Sequence, residues 1–147
     1  MNKNGSQLLQ FSFLVSVIAM AGSLFFSEVM KLPPCVLCWY QRICMYPLVL
    51  IFGLALLKDT KDSFIYGLLL SLVGLGIAIY HNLLYYKLIP DSITPCTEGV
   101  SCTSKQIEWL GFITIPLLSL LAFLIIIIIC FKASKQEKLH ECAKINR

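Results

Sequence analysis

The chain has 147 residues, 58% of them apolar and 14% charged, where a soluble domain carries roughly 45–50% and ~25%. Twelve Lys or Arg and eight Asp or Glu cannot cover the large relative surface of so small a soluble protein, which excludes a soluble enzyme and a disordered chain. The net charge of +4 is no nucleic-acid signal, because the positive residues gather most densely in one short tail. The length allows one integral membrane domain over 1–147.

Four apolar runs follow in chain order. Leu8–Val29 has 22 residues with Glu28 at its end; Tyr40–Leu57 has 18 with Arg42 near its start. Phe64–Tyr86 has 23, with His81 its one titratable side chain apart from tyrosine; Phe112–Phe131 has 20 and no charge. About 20 apolar residues in a helix cross the ~30 Å hydrocarbon core. No water there satisfies backbone groups, so each run is predicted to be a helix. The alternation of a membrane barrel is absent from the sequence. The first run is longer than the apolar stretch of a signal peptide, and the Ser27–Lys31 segment after it offers no small-residue cleavage site. It reads as a retained span. The predicted fold is an all-α membrane protein, a four-transmembrane-helix bundle with spans of about 8–29, 40–57, 64–86 and 112–131. Two short external loops carry Cys pairs, and 132–147 forms a cytoplasmic tail.

Lys and Arg near the spans set orientation. Eight lie on one side (Lys3, Lys58, Lys61, Lys132, Lys135, Lys138, Lys144, Arg147) and four on the other (Lys31, Arg42, Lys87, Lys105). Both termini should therefore be cytoplasmic, with 30–39 and 87–111 outside. Pro33, Pro34, Pro90 and Pro95 break helices on that outer side. Trp39, Tyr40, Tyr85, Tyr86 and Trp109 sit at boundary depth, as an aromatic belt does. Thr103–Gln106 has capping-box spacing, which predicts a short interfacial helix over 104–111.

This topology sorts the seven cysteines. Cys35, Cys38, Cys96 and Cys102 fall outside as two local pairs; Cys44, Cys130 and Cys142 fall in spans or tail. Disulfides persist outside the membrane and are rare in the cytoplasm. The outer pairs have three readings: structural staples, a zinc site built on C-x2-C plus C-x5-C, or redox-active dithiols. Cys35-Val-Leu-Cys38 is a poor staple, because so short a loop removes little unfolded-state entropy. C-x-x-C is a frequent redox unit, and Cys38 near a helix start gains thiolate stabilisation from the dipole and free N–H groups.

At ~100° per residue, Cys35, Cys38 and Arg42 line one helix face, and Cys44 projects opposite. An arginine just inside the membrane either snorkels to head groups or meets a partner. As a partner it would stabilise a thiolate or a reduced oxygen. His81 lies ~7–8 Å below the outer end of its span, at similar depth. It is either a helix–helix hydrogen-bonding residue or part of a shared site for a membrane-soluble carrier. A quinone has that character. Haem is disfavoured, since the spans hold no second axial His.

The string Pro34-Cys-Val-Leu-Cys-Trp-Tyr-Gln-Arg42 before a span, with C-x5-C in the second loop and His81 in the third span, resembles the DsbB family of quinone-linked disulfide-generating membrane proteins. The likeness is greatest to its short, BdbC-like form and covers roughly 8–131. It implies catalytic roles for Cys35, Cys38, Cys96 and Cys102. Cys38 would be the thiolate nearest the quinone. Cys96 would form the mixed disulfide with the partner, and Cys102 would pair transiently with Cys35. Arg42 and His81 would bind the quinone, ubiquinone or menaquinone, with no metal or haem needed. The implied partner is an extracytoplasmic thioredoxin-like thiol oxidase (DsbA/BdbD-like), and the implied location is the bacterial cytoplasmic membrane. In larger members the second pair is widely separated around an interfacial helix; here five residues intervene. Rival readings are a small four-helix transporter, for which Glu28 is the candidate embedded carboxylate, and a structural protein with stapled loops. A vitamin-K-epoxide-reductase-like enzyme is a further rival, but it carries its C-x-x-C in a late span.

The orientation predicts that a membrane-impermeant thiol reagent, applied to intact cells after reduction, labels the four outer cysteines and spares Cys142. Labelling of Cys142 under those conditions overturns the assignment of sides.

Overall fold

The computed structural model describes residues 3–58, 60, 62–88 and 114–145, and the side chains of all of these except 3 and 137–145. Its elements are α1 (Lys3–Leu24), which runs on as one π turn (Phe25–Val29), α2 (Val36–Lys58), α3 (Ser63–Tyr85) and α4 (Ile115–Ile145). Among the described residues, four stretches are long and apolar enough to cross a membrane: Asn4–Val29, Val36–Lys58, Ser63–Tyr85 and Ile115–Gln136. No strand occurs among the described residues. The predicted all-α four-helix membrane protein is the observed class.

Two bounds differ from the sequence expectation. The second helix starts at Val36, four residues ahead of the predicted span, because the chain leaves its Pro33–Pro34 stretch there and Cys35 caps the first turn. The fourth helix continues through the predicted tail to Ile145. Ala, Lys, Gln, Glu and Leu dominate that stretch, and all are strong helix formers. The predicted helix over 104–111 lies outside the described residues, as do Cys96 and Cys102.

The helices pack as a ring: α1 against α2 and α4, and α3 against α2 and α4. The end of α1 meets the start of α2, where Arg42 bonds Ser23. The end of α3 meets the start of α4, where the Asn82 amide donates to the carbonyls of Ala78 and Pro116 at 2.8 and 2.9 Å. Thr114 caps α4 by accepting the Leu117 N–H at its side-chain oxygen, 3.4 Å away. Lys31 and Lys87 follow α1 and α3 with φ of 54° and 55°. Lys87 closes a Schellman turn, since Leu88 N–H bonds the Leu83 carbonyl and Lys87 N–H that of Leu84. These sharp stops bring both chain exits to the end of the bundle where α2 begins.

Leu9, Leu48, Phe52, Phe64, Phe123 and Ile126 form the buried centre, with Cys44 and Cys130 among them. Large apolar side chains such as Leu50 (67% exposed) and Ile43 (62%) face outward, as a lipid-facing surface requires. Two glycines let the helices approach. A Cβ on Gly67 would lie 2.5 Å from the Phe52 ring, and one on Gly74 would run into the Phe123 ring. Small residues perform this service at membrane helix interfaces generally.

Gly74→Val therefore forces the Phe123 ring out of its seat and should cost about 1–3 kcal/mol, as overpacking does. Gly76→Val, whose Cβ meets nothing within 4 Å, should cost much less. Detergent-solubilised unfolding of the two variants measures the difference, and equal losses would contradict the α3–α4 packing.

Candidate functional site: a capped dithiol beside an apolar cavity

Cys35 stands at the N-cap of α2 and Cys38 at its third residue. An N-cap side chain accepts a free N–H of the first turn, and the Cys35 Sγ does so from the Cys38 N–H at 3.4 Å. The two sulfurs are 2.8 Å apart. The sequence placed the helix-start stabilisation on Cys38. The structure puts Cys35 at the cap, because the helix begins at Val36 and the Cys38 N–H points back at the Cys35 sulfur.

Cys35 is 6% exposed and packs with Leu37 and Leu84, with Ile77 and Tyr80 against them. Its Sγ lies 3.7 Å from His81 Nε2. The other ring nitrogen, Nδ1, is 3.3 Å from the Gln41 side-chain nitrogen. His81 and Gln41 are 3% and 7% exposed, so each relies on these contacts to satisfy its polar atoms. The hydrogen bond from the Cys38 thiol holds the Cys35 thiol below its ordinary pKa. Burial opposes this, and the His81 contact and the Cys38 N–H reinforce it.

Cys35, Cys38 and His81 bring three potential ligand atoms within 4.8 Å of one another. Two sulfurs each ~2.3 Å from a tetrahedral ion stay roughly 3.8 Å apart. At 2.8 Å the sulfurs are closer than that, within reach of a hydrogen bond from one thiol to the other.

Arg42 turns the other way. Its Nε donates to Ser23 Oγ and its Nη2 to the Ser23 carbonyl, both at 2.9 Å. The guanidinium carbon stands 5.2 Å from the Trp39 ring centroid, a cation–π distance. Ser23 lies next to the π turn, where the helix ladder widens. These two bonds use two of the five guanidinium N–H groups.

Cys38 and Arg42 line one cavity of about 530 Å³ between α1, α2 and α4, whose walls are largely apolar residues such as Val15, Phe26, Leu118 and Ile125. Gln41 and Tyr46 also line it. The Tyr46 hydroxyl is buried and has no hydrogen-bond partner among the described residues. Cys35 and His81 are not among the lining residues. Among the described residues, Cys38 and Arg42 line this cavity, while the Cys35 sulfur meets His81. Sequence reasoning missed Ser23, Gln41 and Tyr46. Each is a polar group inside an apolar run, the same signal that singled out Arg42 and His81.

Fold and site define an integral membrane protein that holds a C-x-x-C dithiol at the end of a four-helix bundle, open through one sulfur to an apolar cavity. Residues 5–133 match the family described as "Disulfide bond formation protein DsbB". The chain is 48% identical to "Disulfide bond formation protein C" of Bacillus subtilis over 92% of its own length and 99% of that protein's. It is 43% identical to "Probable disulfide formation protein C" of Halalkalibacterium halodurans, over 94% of the chain and 100% of the relative. For "Probable disulfide formation protein" of Oceanobacillus iheyensis the figures are 42%, 88% and 90%. No solved structure gives a significant match. The chain belongs to the DsbB family and is a multi-pass membrane protein.

Because the folded Cys35 value lies below its unfolded one, its thiolate persists as pH falls below the ordinary thiol pKa of about 8.5. The stability it contributes is present above the unfolded pKa and is lost as pH falls through the folded one. Alkylation of the reduced protein, followed by peptide mass, should show Cys35 reacting half-maximally below pH ~8.5. A Cys35 half-point at or above that pH contradicts the capped-thiolate geometry.

Proposed function

We propose that this chain is a thiol:quinone oxidoreductase that reoxidises a thioredoxin-like thiol oxidase on the outer face of the bacterial cytoplasmic membrane and so sustains disulfide formation in exported proteins. The observation that carries the reading is the pairing of the Cys38 sulfur with Arg42 on one apolar cavity. The Lys/Arg asymmetry supports cytoplasmic termini and places the dithiol end outside.

The cavity residues fit a quinone. A volume of about 530 Å³ lies in the usual range for small-molecule sites, and its apolar walls suit a ring with an isoprenoid tail. Arg42 has N–H donors beyond those spent on Ser23, and the buried Tyr46 hydroxyl lacks a partner among the described residues. A bound quinone supplies an acceptor of two electrons and two protons. Arg42 holds positive charge where an oxygen would gain negative charge, in a site with little water to screen it. Cys38 presents its sulfur to the cavity, and Cys35 closes the disulfide behind it.

The exchange half runs through the second loop. A thiolate of the partner attacks Cys96, Cys102 leaves as thiolate, and the partner's second thiolate releases Cys96 and restores the partner's disulfide. Cys102 thiolate then attacks Cys35, and Cys38 leaves as thiolate. Cys96 thiolate attacks Cys102, and Cys35 leaves as thiolate. The second pair is again oxidised and Cys35–Cys38 carries the two electrons. A transporter reading has less support: Glu28 is exposed and lies apart from the cavity lining.

Replacing Cys35, Cys38, Cys96 or Cys102 by Ala should abolish steady-state quinone reduction, whereas Cys130→Ala should leave the electron path intact. Arg42→Gln should lower kcat/KM for quinone by about 1–3 kcal/mol of charge-assisted hydrogen bonding, and Arg42→Lys by less. A single turnover of partner oxidation without quinone should be unaffected by either. Anaerobic mixing of the purified protein with reduced partner and quinone tests the whole reading. Partner disulfide formed beyond the chain's own disulfide equivalents, without quinol to match, would overturn it.

A further inference from the structure

The dithiol has two sides, and the proposed function gives a ligand to one of them. Cys38 opens to the cavity. Cys35 faces α3, where His81 and Gln41 form a buried chain that ends on its sulfur. The direction of that chain follows from donor chemistry. With the Gln41 side-chain nitrogen on His81 Nδ1, a contact it can make only as donor, Nδ1 accepts and Nε2 carries the ring N–H. Nε2 lies 3.7 Å from the Cys35 Sγ, so it donates to sulfur.

We propose that His81 is a catalytic residue of the dithiol itself: Gln41 fixes its tautomer, and its Nε2–H stabilises the Cys35 thiolate that is released from the mixed disulfide and then closes the Cys35–Cys38 disulfide. This rests on the redox reading above and assigns His81 to the sulfur chemistry instead of the acceptor cavity. The titratable groups facing Cys35 among the described residues are Cys38 on α2 and His81 and Tyr80 on α3. Arg42, the nearby fixed charge, is turned to Ser23 of α1.

The step balances without proton transfer to the ring. When Cys96 thiolate attacks Cys102 in the Cys35–Cys102 mixed disulfide, the Cys96–Cys102 bond forms and the Cys35–Cys102 bond breaks. The electron pair leaves on Cys35, and the His81 N–H meets it there. A leaving thiol with a lower pKa leaves faster, and a stabilised thiolate favours the reduced pair, which makes the disulfide more oxidising. Gln41 is a positioning residue that acts through His81.

The test uses the full chain in lipid nanodiscs with Cys96 and Cys102 replaced by Ala, so that equilibration with glutathione reports one pair. His81→Ala should shift that equilibrium at pH 7 about tenfold or more toward the disulfide, ~30 mV for a two-electron couple. The half-alkylation pH of Cys35 should rise with it. His81→Gln, which retains an N–H donor, should recover part of both effects, and Gln41→Leu should produce a smaller shift in the same direction. In the otherwise unsubstituted chain, the equilibrium Kd of quinone for His81→Ala should stay within about twofold of the parent's. If His81→Ala fails to fold, the Gln variant and Gln41→Leu decide: an equilibrium and alkylation profile like the parent's in both overturns the proposal. A raised quinone Kd with unchanged dithiol equilibrium also overturns it and returns His81 to the cavity. Failure of the parent to reduce quinone would end the functional reading, while the glutathione and alkylation arms still decide this one.

Discussion

A polar group inside an apolar bundle must find its partner within the protein, because neither lipid nor neighbouring leucines can supply one. The site grows out of that constraint. The first turn of α2 has N–H groups that no residue of its own helix can satisfy, and the Cys35 sulfur takes the one from Cys38. A buried sulfur in that position is then open to His81, and a buried His81 needs a second partner, which Gln41 provides. On the opposite side, Arg42 satisfies itself on Ser23 of α1. The contacts that satisfy these buried groups are also the contacts of the dithiol and of the cavity beside it.

Separation of the two sulfurs follows from helix geometry. Cys35 stands off the end of α2 and reaches α3, while Cys38 lies in the first turn and faces the gap between α1, α2 and α4. On the proposed function, one dithiol is tuned from one side and drained from the other. An environment that stabilises the Cys35 thiolate need not crowd the cavity, and a cavity that accepts a greasy ligand need not carry the histidine. Gln41 touches both, bonding His81 and lining the cavity.

The helix interfaces that hold this arrangement are apolar and close. Gly67 admits the Phe52 ring and Gly74 the Phe123 ring, which sets the rotation of α3 against α2 and α4. That rotation is what turns His81 toward Cys35 and Asn82 toward the start of α4. Neither contact has a trace in hydropathy, which is blind to how a helix is turned about its axis.

The sequence by itself determined the class of protein, the four spans and the residues of interest. A bilayer has a fixed thickness and tolerates few polar side chains, so apolar run length and the intruders Arg42 and His81 can be read one residue at a time. C-x-x-C spacing likewise brings two sulfurs together on any helix start, and Pro33–Pro34 mark where that start falls. Tertiary structure alone decided the partners. Equal depth suggested that Arg42 and His81 share a ligand, yet depth leaves the azimuth of each side chain open. The ring of helices placed Arg42 on Ser23 and His81 on Cys35, on different sides of α2. Ser23, Gln41 and Tyr46 acquire meaning from neighbours on other helices, and those neighbours are chosen by packing, which no local pattern encodes.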